Sequence, residues 1–380
     1  MKVRLGDIIG KQISGEWGAD DLIGDGVPVL RTANFTKEGY LDYSNIVTRN
    51  LSGKNITNKY LRPGDILIEK SGGGPKQPVG RVVYFDSVPN TYVFNNFTSV
   101  LRVNDSNSWL PKYIFYALFA NYQKGGTLNY QNRTTGLHNL KLDSYISDFQ
   151  LQNVSLSEQI QKVKILDKLV ELQNKCKQQL TKFDELVKSR FMEMFGDPVV
   201  NPMKWKQVCF NSICENLDAK RIPIPEVNRK HGLYPYYGAS GIVDYVDNFI
   251  FDEDLLLISE DGANLLLRST PIAFSVSGKV WVNNHAHVIR FSEKASQKYV
   301  EVYFSLIDIS KHITGTAQPK LNQTKLNSIL INCPPLPLQQ QFAAFVEKVD
   351  KSKFIAGARL AGRLYRNLLT KLSLSEADYD

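Results

Sequence analysis

The chain has 380 residues, 43% of them hydrophobic and 11% aromatic, which excludes a disordered segment and provides for more than one packed core. Its 46 Lys and Arg outnumber 38 Asp and Glu, for a net charge of +8, and this favours a polyanionic partner such as nucleic acid or an anionic membrane, the alternative being a mildly basic soluble protein. No stretch approaches the ~18 uninterrupted apolar residues of a membrane span, and Met1–Asp7 has no apolar leader core, so a cytoplasmic protein with no membrane partner is expected.

In chain order, the opening Val3-Arg4-Leu5-Gly6-Asp7-Ile8 leads into β-rich segments. These are Val27-Pro28-Val29-Leu30-Arg31, Gly64-Asp65-Ile66-Leu67-Ile68 with the turn Gly72-Gly73-Gly74, and Tyr92-Val93-Phe94-Asn95-Asn96-Phe97. A long helical pattern follows from Leu156-Ser157-Glu158-Gln159 to Phe195. Leu166, Leu169, Cys176, Leu180, Phe183, Val187 and Met194 keep the three-and-four spacing of a coiled-coil seam, with Gln173 in one polar slot. Gly196-Asp197-Pro198 through Asn201-Pro202 ends this rod.

The pattern then begins again, at an offset of about 180 to 190 residues over most of its length. Val208-Cys209-Phe210-Asn211-Ser212-Ile213 matches the opening, and Leu233-Tyr234-Pro235-Tyr236-Tyr237 matches the first proline segment. Glu253-Asp254-Leu255-Leu256-Leu257 with Asp261-Gly262, and Val280-Trp281-Val282-Asn283-Asn284-His285, match the later strands. After Pro335 and Pro337 a second rod carries Phe342, Phe345, Val349, Ala356, Leu360, Leu364, Leu368 and Leu372. Runs of ~35 residues at ~1.5 Å per residue give rods of roughly 50 Å, and two such rods at equivalent points favour pairing with each other. The expected architecture is an α+β fold with a pseudo-twofold repeat: two β-rich domains at 1–153 and 197–334, long helices at 154–196 and 335–374 packed as an antiparallel coiled coil, and a tail at 375–380. Leu166, Leu169, Leu180, Phe183, Val187, Phe345, Val349, Leu360 and Leu364 are its expected seam.

With that order, the chain resembles the specificity subunit of Type I restriction-modification enzymes, HsdS. The resemblance rests on Leu5-Gly6-Asp7-Ile8, Arg62-Pro63-Gly64-Asp65-Ile66-Leu67, Leu156-Ser157-Glu158-Gln159, and the rod end Ser189-Arg190-Phe191 to Pro198 followed by Asn201-Pro202 and Trp205. It runs over essentially the whole chain. The second half departs from it, with Phe251-Asp252-Glu253-Asp254 in place of the P-G-D turn and Pro337-Leu338-Gln339-Gln340 in place of L-S-E-Q. The resemblance implies two target recognition domains, each reading one half of a bipartite asymmetric site on double-stranded DNA, and helices that act as a spacer. It also implies partners: two methyltransferase subunits that bind S-adenosylmethionine, and motor-nuclease subunits that use ATP and Mg. This chain itself would then hold no cofactor. A specificity subunit of a Type IIB-like enzyme would have the same sequence character with different partners.

Reading DNA requires cations for phosphate, and planar amide or guanidinium groups for base edges. In the first half Asn129, Tyr130, Gln131, Asn132, Arg133 and Thr134 form the best candidate loop, with Lys141 close behind. The glycine loop ending in Lys76 is either a phosphate-approaching backbone or a flexible hairpin tip. In the second half Thr316, Gln318 and Lys320 fall in an equivalent loop, joined by Tyr236, Lys279, Asn283 and Asn284. Any one of these amides is also a plausible turn cap.

Catalytic readings fail on spacing. Asn332-Cys333-Pro334-Pro335-Leu336 has one residue too many and no aromatic for an adenine methyltransferase motif. Asp65 with Glu69 and Lys70 resembles a metal-dependent nuclease triad, but adjacent Glu and Lys point to opposite faces of a strand. His285 and His287 have no third ligand nearby in sequence, and Cys176, Cys209, Cys214 and Cys333 lack C-x-x-C spacing, so neither a metal nor a disulfide framework is expected.

Overall fold

The computed structural model describes residues 1–74, 77–134, 137–315 and 317–360. They form two compact units, Met1–Lys175 and Cys176–Arg359. In the first, β1 (Lys2–Arg4) and α1 (Leu5–Ile8) precede β2 (Ile13–Ser14), β3 (Ala19–Asp20), β4 (Val27–Leu30) and β5 (Val47–Asn50). Then come β6 (Ile66–Glu69), β7 (Ser71–Gly73), β8 (Val82–Tyr84), β9 (Val93–Phe94), β10 (Thr98–Leu101) and α2 (Pro111–Gln123). The hairpin β11 (Gln131–Thr134) and β12 (Leu137–Leu140), α3 (Leu142–Asp148) and β13 (Gln150–Gln152) lead to the long α4 (Leu156–Phe195).

The second unit continues with β14 (Lys206–Cys209), β15 (Glu215–Asn216), β16 (His231–Gly238), β17 (Gly241–Val246), β18 (Phe251–Asp252) and β19 (Leu255–Ser259). α5 (Asn264–Leu267), β20 (Ala273–Val276), β21 (Lys279–Val282), β22 (Ala286–Arg290), α6 (Lys294–Leu306), α7 (Gln323–Asn327), β23 (Leu330–Cys333) and α8 (Leu336–Leu360) complete it.

The two units share one topology. Sheet order β2-β10-β6-β8 corresponds to β15-β22-β19-β20, and the pair β1-β13 to β14-β23. A second sheet is built in each around one parallel pair, β4 with β9 and β16 with β21. Even the register repeats. Pro28 and Pro235 precede residues that pair alike, Val29 with Val93 and Tyr236 with Trp281. Past the parallel strand, the Asn95 amide donates to the Leu30 carbonyl (2.9 Å) and that of Asn283 to the Tyr237 carbonyl (3.0 Å).

The central strands β6 and β19 are buried on both faces, as strands are when covered on each side. Ile66 and Ile68 join the core beneath α2, while Leu67 joins Leu30, Phe94 and Val100 on the other face. In the second unit Leu256 and Ile258 take the α6 side, and Leu255 and Leu257 the other. Ile66 therefore corresponds to Leu256. The sequence alignment of Ile66 with Leu255 is one residue out of step, which would turn every side chain to the wrong face.

Separate stretches of α4 contribute to the core of each unit. Val163 and Leu166 are buried in the first core with Leu169 against it, and Asp167 receives Lys112 (2.9 Å) and the Tyr116 hydroxyl (2.5 Å) from α2. Further along, Val187, Phe191 and Phe195 enter the second core with Phe342, Val346 and Val349 of α8, flanked by Phe183 and Phe345. Phe195 lies 5.4 Å from Phe342 while Asp184 pairs with Lys353 at 2.6 Å. The helices thus run antiparallel there. Of the expected seam, Phe183, Val187, Phe345 and Val349 meet between α4 and α8, whereas Leu166 and Leu169 pack on the first domain. Leu180 is half-buried. The Leu360 side chain and Leu364 lie outside the described residues.

The rod ends as its sequence suggests. Gly196 adopts φ +76°, the left-handed closing residue that helices favour. The Trp205 indole donates to the Phe195 carbonyl (2.9 Å), and the Asn201 amide is bonded in both directions to the Trp205 backbone (2.9 Å each).

Both rods also open alike. The buried Gln159 donates to the carbonyls of Val154 (3.1 Å) and Ser108 (2.9 Å), and Gln339 donates to that of Pro334 (2.7 Å). The counterpart of L-S-E-Q is therefore Leu336-Pro337-Leu338-Gln339, one residue earlier than the sequence match.

Candidate nucleic-acid interface

In the first unit the hairpin β11–β12 is a full ladder where the second unit has isolated bridges at Thr314, Lys320 and Asp261. β12 pairs with β7, Asn139 opposite Ser71 and His138 opposite Gly73, making a three-stranded sheet, and the Leu140 amide donates to the Lys70 carbonyl (2.8 Å). Two segments far apart in sequence, the glycine loop and the Asn129–Thr134 segment, thereby share one sheet. Asn129 and Asn132 are exposed on it, and so is Lys141, whose amide donates to the Tyr130 carbonyl (2.8 Å). Tyr130 packs edge-on to Tyr145 at 5.3 Å with its hydroxyl on Asp148 (3.1 Å), and the Gln131 carbonyl oxygen faces His138 Nδ1 (3.1 Å). Arg133 and Thr134 belong to β11 by their backbone. Lys76, Thr135 and the side chains of Arg133 and Thr134 lie outside the described residues.

In the second unit the Thr314–Lys320 loop closes on itself through two backbone bonds, Thr314 N to Lys320 O (2.8 Å) and Lys320 N to Thr314 O (2.7 Å). Lys320 bridges Asp261 in the strand position that Asn139 takes opposite Ser71. Gln318 is exposed, and Lys320 Nζ reaches Glu260 (3.1 Å). Asn284 is exposed beside His285, whose Nδ1 pairs with Asp261 (2.8 Å), so Asn284 and this loop border the same turn. Lys279 stands apart on β21, its ammonium 4.8 Å from the Phe249 ring centre. Thr316 lies outside the described residues.

Two candidates are corrected by burial. Tyr236 is 1% exposed and its hydroxyl accepts from the Ile224 amide (2.9 Å). Asn283 is 6% exposed and its carbonyl oxygen accepts from the His285 amide (2.8 Å). Both side chains are thus engaged by the fold, through the Tyr236 hydroxyl and the Asn283 carbonyl oxygen.

The carboxylates of the nuclease-like string serve the fold as well. Asp65 receives two bonds from the Arg102 guanidinium (2.7 Å each), and Glu69 two from Arg81 (2.9 and 3.0 Å), all four groups largely or partly buried.

The expectation that no third ligand stands near His287 is overturned. Asp218, Glu260 and His287 bring three potential ligand atoms within 4.8 Å of one another. Side-chain cations already stand among them: Arg221 donates to Glu260 (2.6 Å) and lies 3.5 Å from Asp218, and Lys320 Nζ lies 3.1 Å from Glu260. His287 Nδ1 meets Asp218 at 2.5 Å and its Nε2 meets the Leu321 carbonyl at 2.7 Å. Burial pushes both carboxyls up. The hydrogen bond from His287 to Asp218, and that from Arg221 to Glu260 with the His287 charge, outweigh it and hold both below their ordinary values. Residue spacing does not reveal this cluster, because Asp218 lies in the turn after β15, Glu260 follows β19 and His287 lies in β22.

Among the described residues, no helix is long and apolar enough to cross a membrane. The sequence model of the family described as Type I restriction modification DNA specificity domain matches residues 2–182 and 202–360, one match on each copy of the fold. The Haemophilus influenzae type I restriction enzyme specificity subunit S.HindORF215P is 31% identical over 145 residues, which are 38% of this chain and 37% of that protein. A crystal structure of the Type I restriction-modification S subunit from M. genitalium superposes with TM-score 0.57 at 14% identity, over 100% of this chain and 96% of that one. A structure from work on complex assembly and conformational transition of the type I R-M system gives 0.53 at 13%, over 98% and 97%. These two likenesses speak to the fold. The doubled skeleton and the paired family matches lead to one conclusion: the chain belongs to the Type I restriction-modification DNA specificity family.

Proposed function

We propose that this chain is the sequence-reading subunit of a Type I restriction-modification enzyme and that each unit reads one half of a bipartite, asymmetric DNA site. The observation that carries this is the repeat. Two units keep the same strands and register, yet present different residues at equivalent places, Asn139 against Lys320 and Ser71 against Asp261. A repeated scaffold with unlike surfaces is suited to two unlike half-sites, as protein symmetry matches operator symmetry in dimers.

On this reading the chain turns over no substrate. The long helices set the spacing and dock two methyltransferase subunits and the motor-nuclease subunits, and S-adenosylmethionine, ATP and Mg belong to those partners. A cytoplasmic location fits this role.

Replacing Gly125 to Gly136 by an unrelated loop tests the proposal. The methylation pattern of the assembled enzyme should change in one half-site only, and a change in both halves would reject independent readers. Purified chain alone, given DNA, Mg and S-adenosylmethionine, should neither cut nor methylate.

A further inference from the structure

The shared register sets the Asp218–Glu260–His287 cluster against its counterpart in the first unit. Ser14 lies opposite Ser99 across β2 and β10, and continuing the β15–β22 ladder two steps past Asn216, through Leu217 opposite Val288, puts Asp218 opposite His287 in the same place. Lys70 donates its amide to the Phe97 carbonyl (2.7 Å) as Glu260 does to that of His285 (2.9 Å), so Lys70 holds the position of Glu260. Leu140 likewise corresponds to Leu321, each donating its amide to the carbonyl of that residue (2.8 and 2.7 Å).

In the second unit this point is filled. The imidazole of His287 spans from Asp218 to the Leu321 carbonyl, and two acids face Arg221 and Lys320. In the first unit two serines take the places of histidine and aspartate, and a lysine takes the place of glutamate. What remains is a cleft of about 520 Å³ to which Lys11, Ser14, Lys70, Ser99, Lys141 and Asp143 contribute.

Three observations give this cleft a sign and a ligand class. Lys70, Lys11 and Lys141 converge on it and, among the described residues, none is paired with a carboxylate. The acid present, Asp143, accepts instead from the Gln12 amide. Lys70 Nζ donates to Ser14 Oγ (2.7 Å), and burial, then the charge of Lys59, pushes its pKa below the ordinary lysine value, as expected of an ammonium without an anion. Finally, Ser99 is 1% exposed and its Oγ has no hydrogen-bond partner, although it lines the cleft on the strand face it shares with Ser14. A buried hydroxyl left without a partner costs about 1–3 kcal/mol unless something outside the chain satisfies it.

We infer that this cleft is a phosphate-binding site of the first unit, in which Lys70 and Lys141 supply charge and the Ser99 hydroxyl donates to a phosphate oxygen. It lies next to the three-stranded sheet, since Lys70 precedes β7 and Lys141 follows β12. A DNA backbone phosphate there would fix the register of the recognition surface without reading a base. That last step rests on the DNA-reading proposal; the phosphate site does not.

The test uses the full chain and two probes, inorganic phosphate and a duplex of arbitrary sequence. Phosphate should raise the melting temperature of the wild type, and Lys70→Gln and Ser99→Ala should lose most of that rise. Lys70→Gln and Lys141→Gln should each reduce the slope of log affinity for duplex against log salt by about 1. Lys141→Gln is a change at an exposed position and keeps the test valid if the Lys70 variant does not fold. Loss of the phosphate response in saturating duplex assigns the site to DNA; its persistence assigns it to a free phosphate-bearing ligand. An absent phosphate response together with unchanged salt slopes in both lysine variants overturns the site. A wild type that binds no duplex at low salt overturns the DNA-reading proposal instead, and the phosphate titration still stands.

Discussion

Arg81 and Arg102 each close a planar fork on one carboxylate, and Arg81 adds the carbonyls of Thr32 and Phe35 (3.1 Å each). Removing one partner of such a pair strands the other. Arg81→Met should destabilise the chain by about 3–5 kcal/mol in urea unfolding, because Glu69 would keep its buried charge without compensation. The second unit makes a pH prediction. Asp218 and Glu260 titrate below their ordinary values in the folded chain, so the unfolded chain takes up protons first as pH falls. Their stabilisation is complete above about pH 5 and is lost as pH drops through the lowered values. Asp218→Asn should therefore flatten the acid limb of stability, measured by hydrogen exchange of the β22 amides between about pH 5 and 3. Little of this was legible in the sequence. Spacing singles out Asp65, Glu69 and His287, but their partners Arg102, Arg81 and Asp218 are set by strand pairing, which residue spacing does not encode.

At the scale of the helix, legibility was better and uneven. The three-and-four spacing located α4 and its apolar face, and Gly196 located its end. What covers that face is another matter: Leu166 and Val187 occupy the same kind of position, yet one meets α2 and its neighbours while the other meets α8 and the second core. Periodicity states that a face must be buried and leaves its partner open. The densest contact is aromatic. Phe191 is fully buried against Phe195, Tyr299, Phe342 and Tyr303, with ring centres 4.9 to 6.3 Å away. Phe191→Ala should cost about 3–5 kcal/mol in thermal or chemical unfolding, more than the same change at the half-buried Leu180.

For the whole molecule, the doubling was visible because prolines and asparagines mark it: Asn95 and Asn283 stand at equivalent points in both sequence and structure, and Pro28 and Pro235 in the structure. The match slipped by one residue where such marks are missing. Ile66-Leu67-Ile68 and Leu255-Leu256-Leu257-Ile258 are apolar on both faces, so nothing in them distinguishes one face from the other. The function proposed for the long helices belongs to this scale. Deleting one heptad from each rod shortens it by about 10 Å while preserving the apolar phase. The bases methylated should stay the same and the spacer between them should change; an unchanged spacer would reject the helices as its determinant.

The agreement of Asn95 with Asn283 also bears on inheritance. Both donate to the strand that precedes them in the same ladder, so a genetic crossover joining the first copy to the second at that codon would splice β9 to β22 in phase. The hybrid would keep its backbone bonds and inherit His287 where the parent had Ser99. Such a joint deletes the residues between the two asparagines, α4 included, so a gene that holds one scaffold twice can shed one unit by recombination and leave a single unit of mixed parentage.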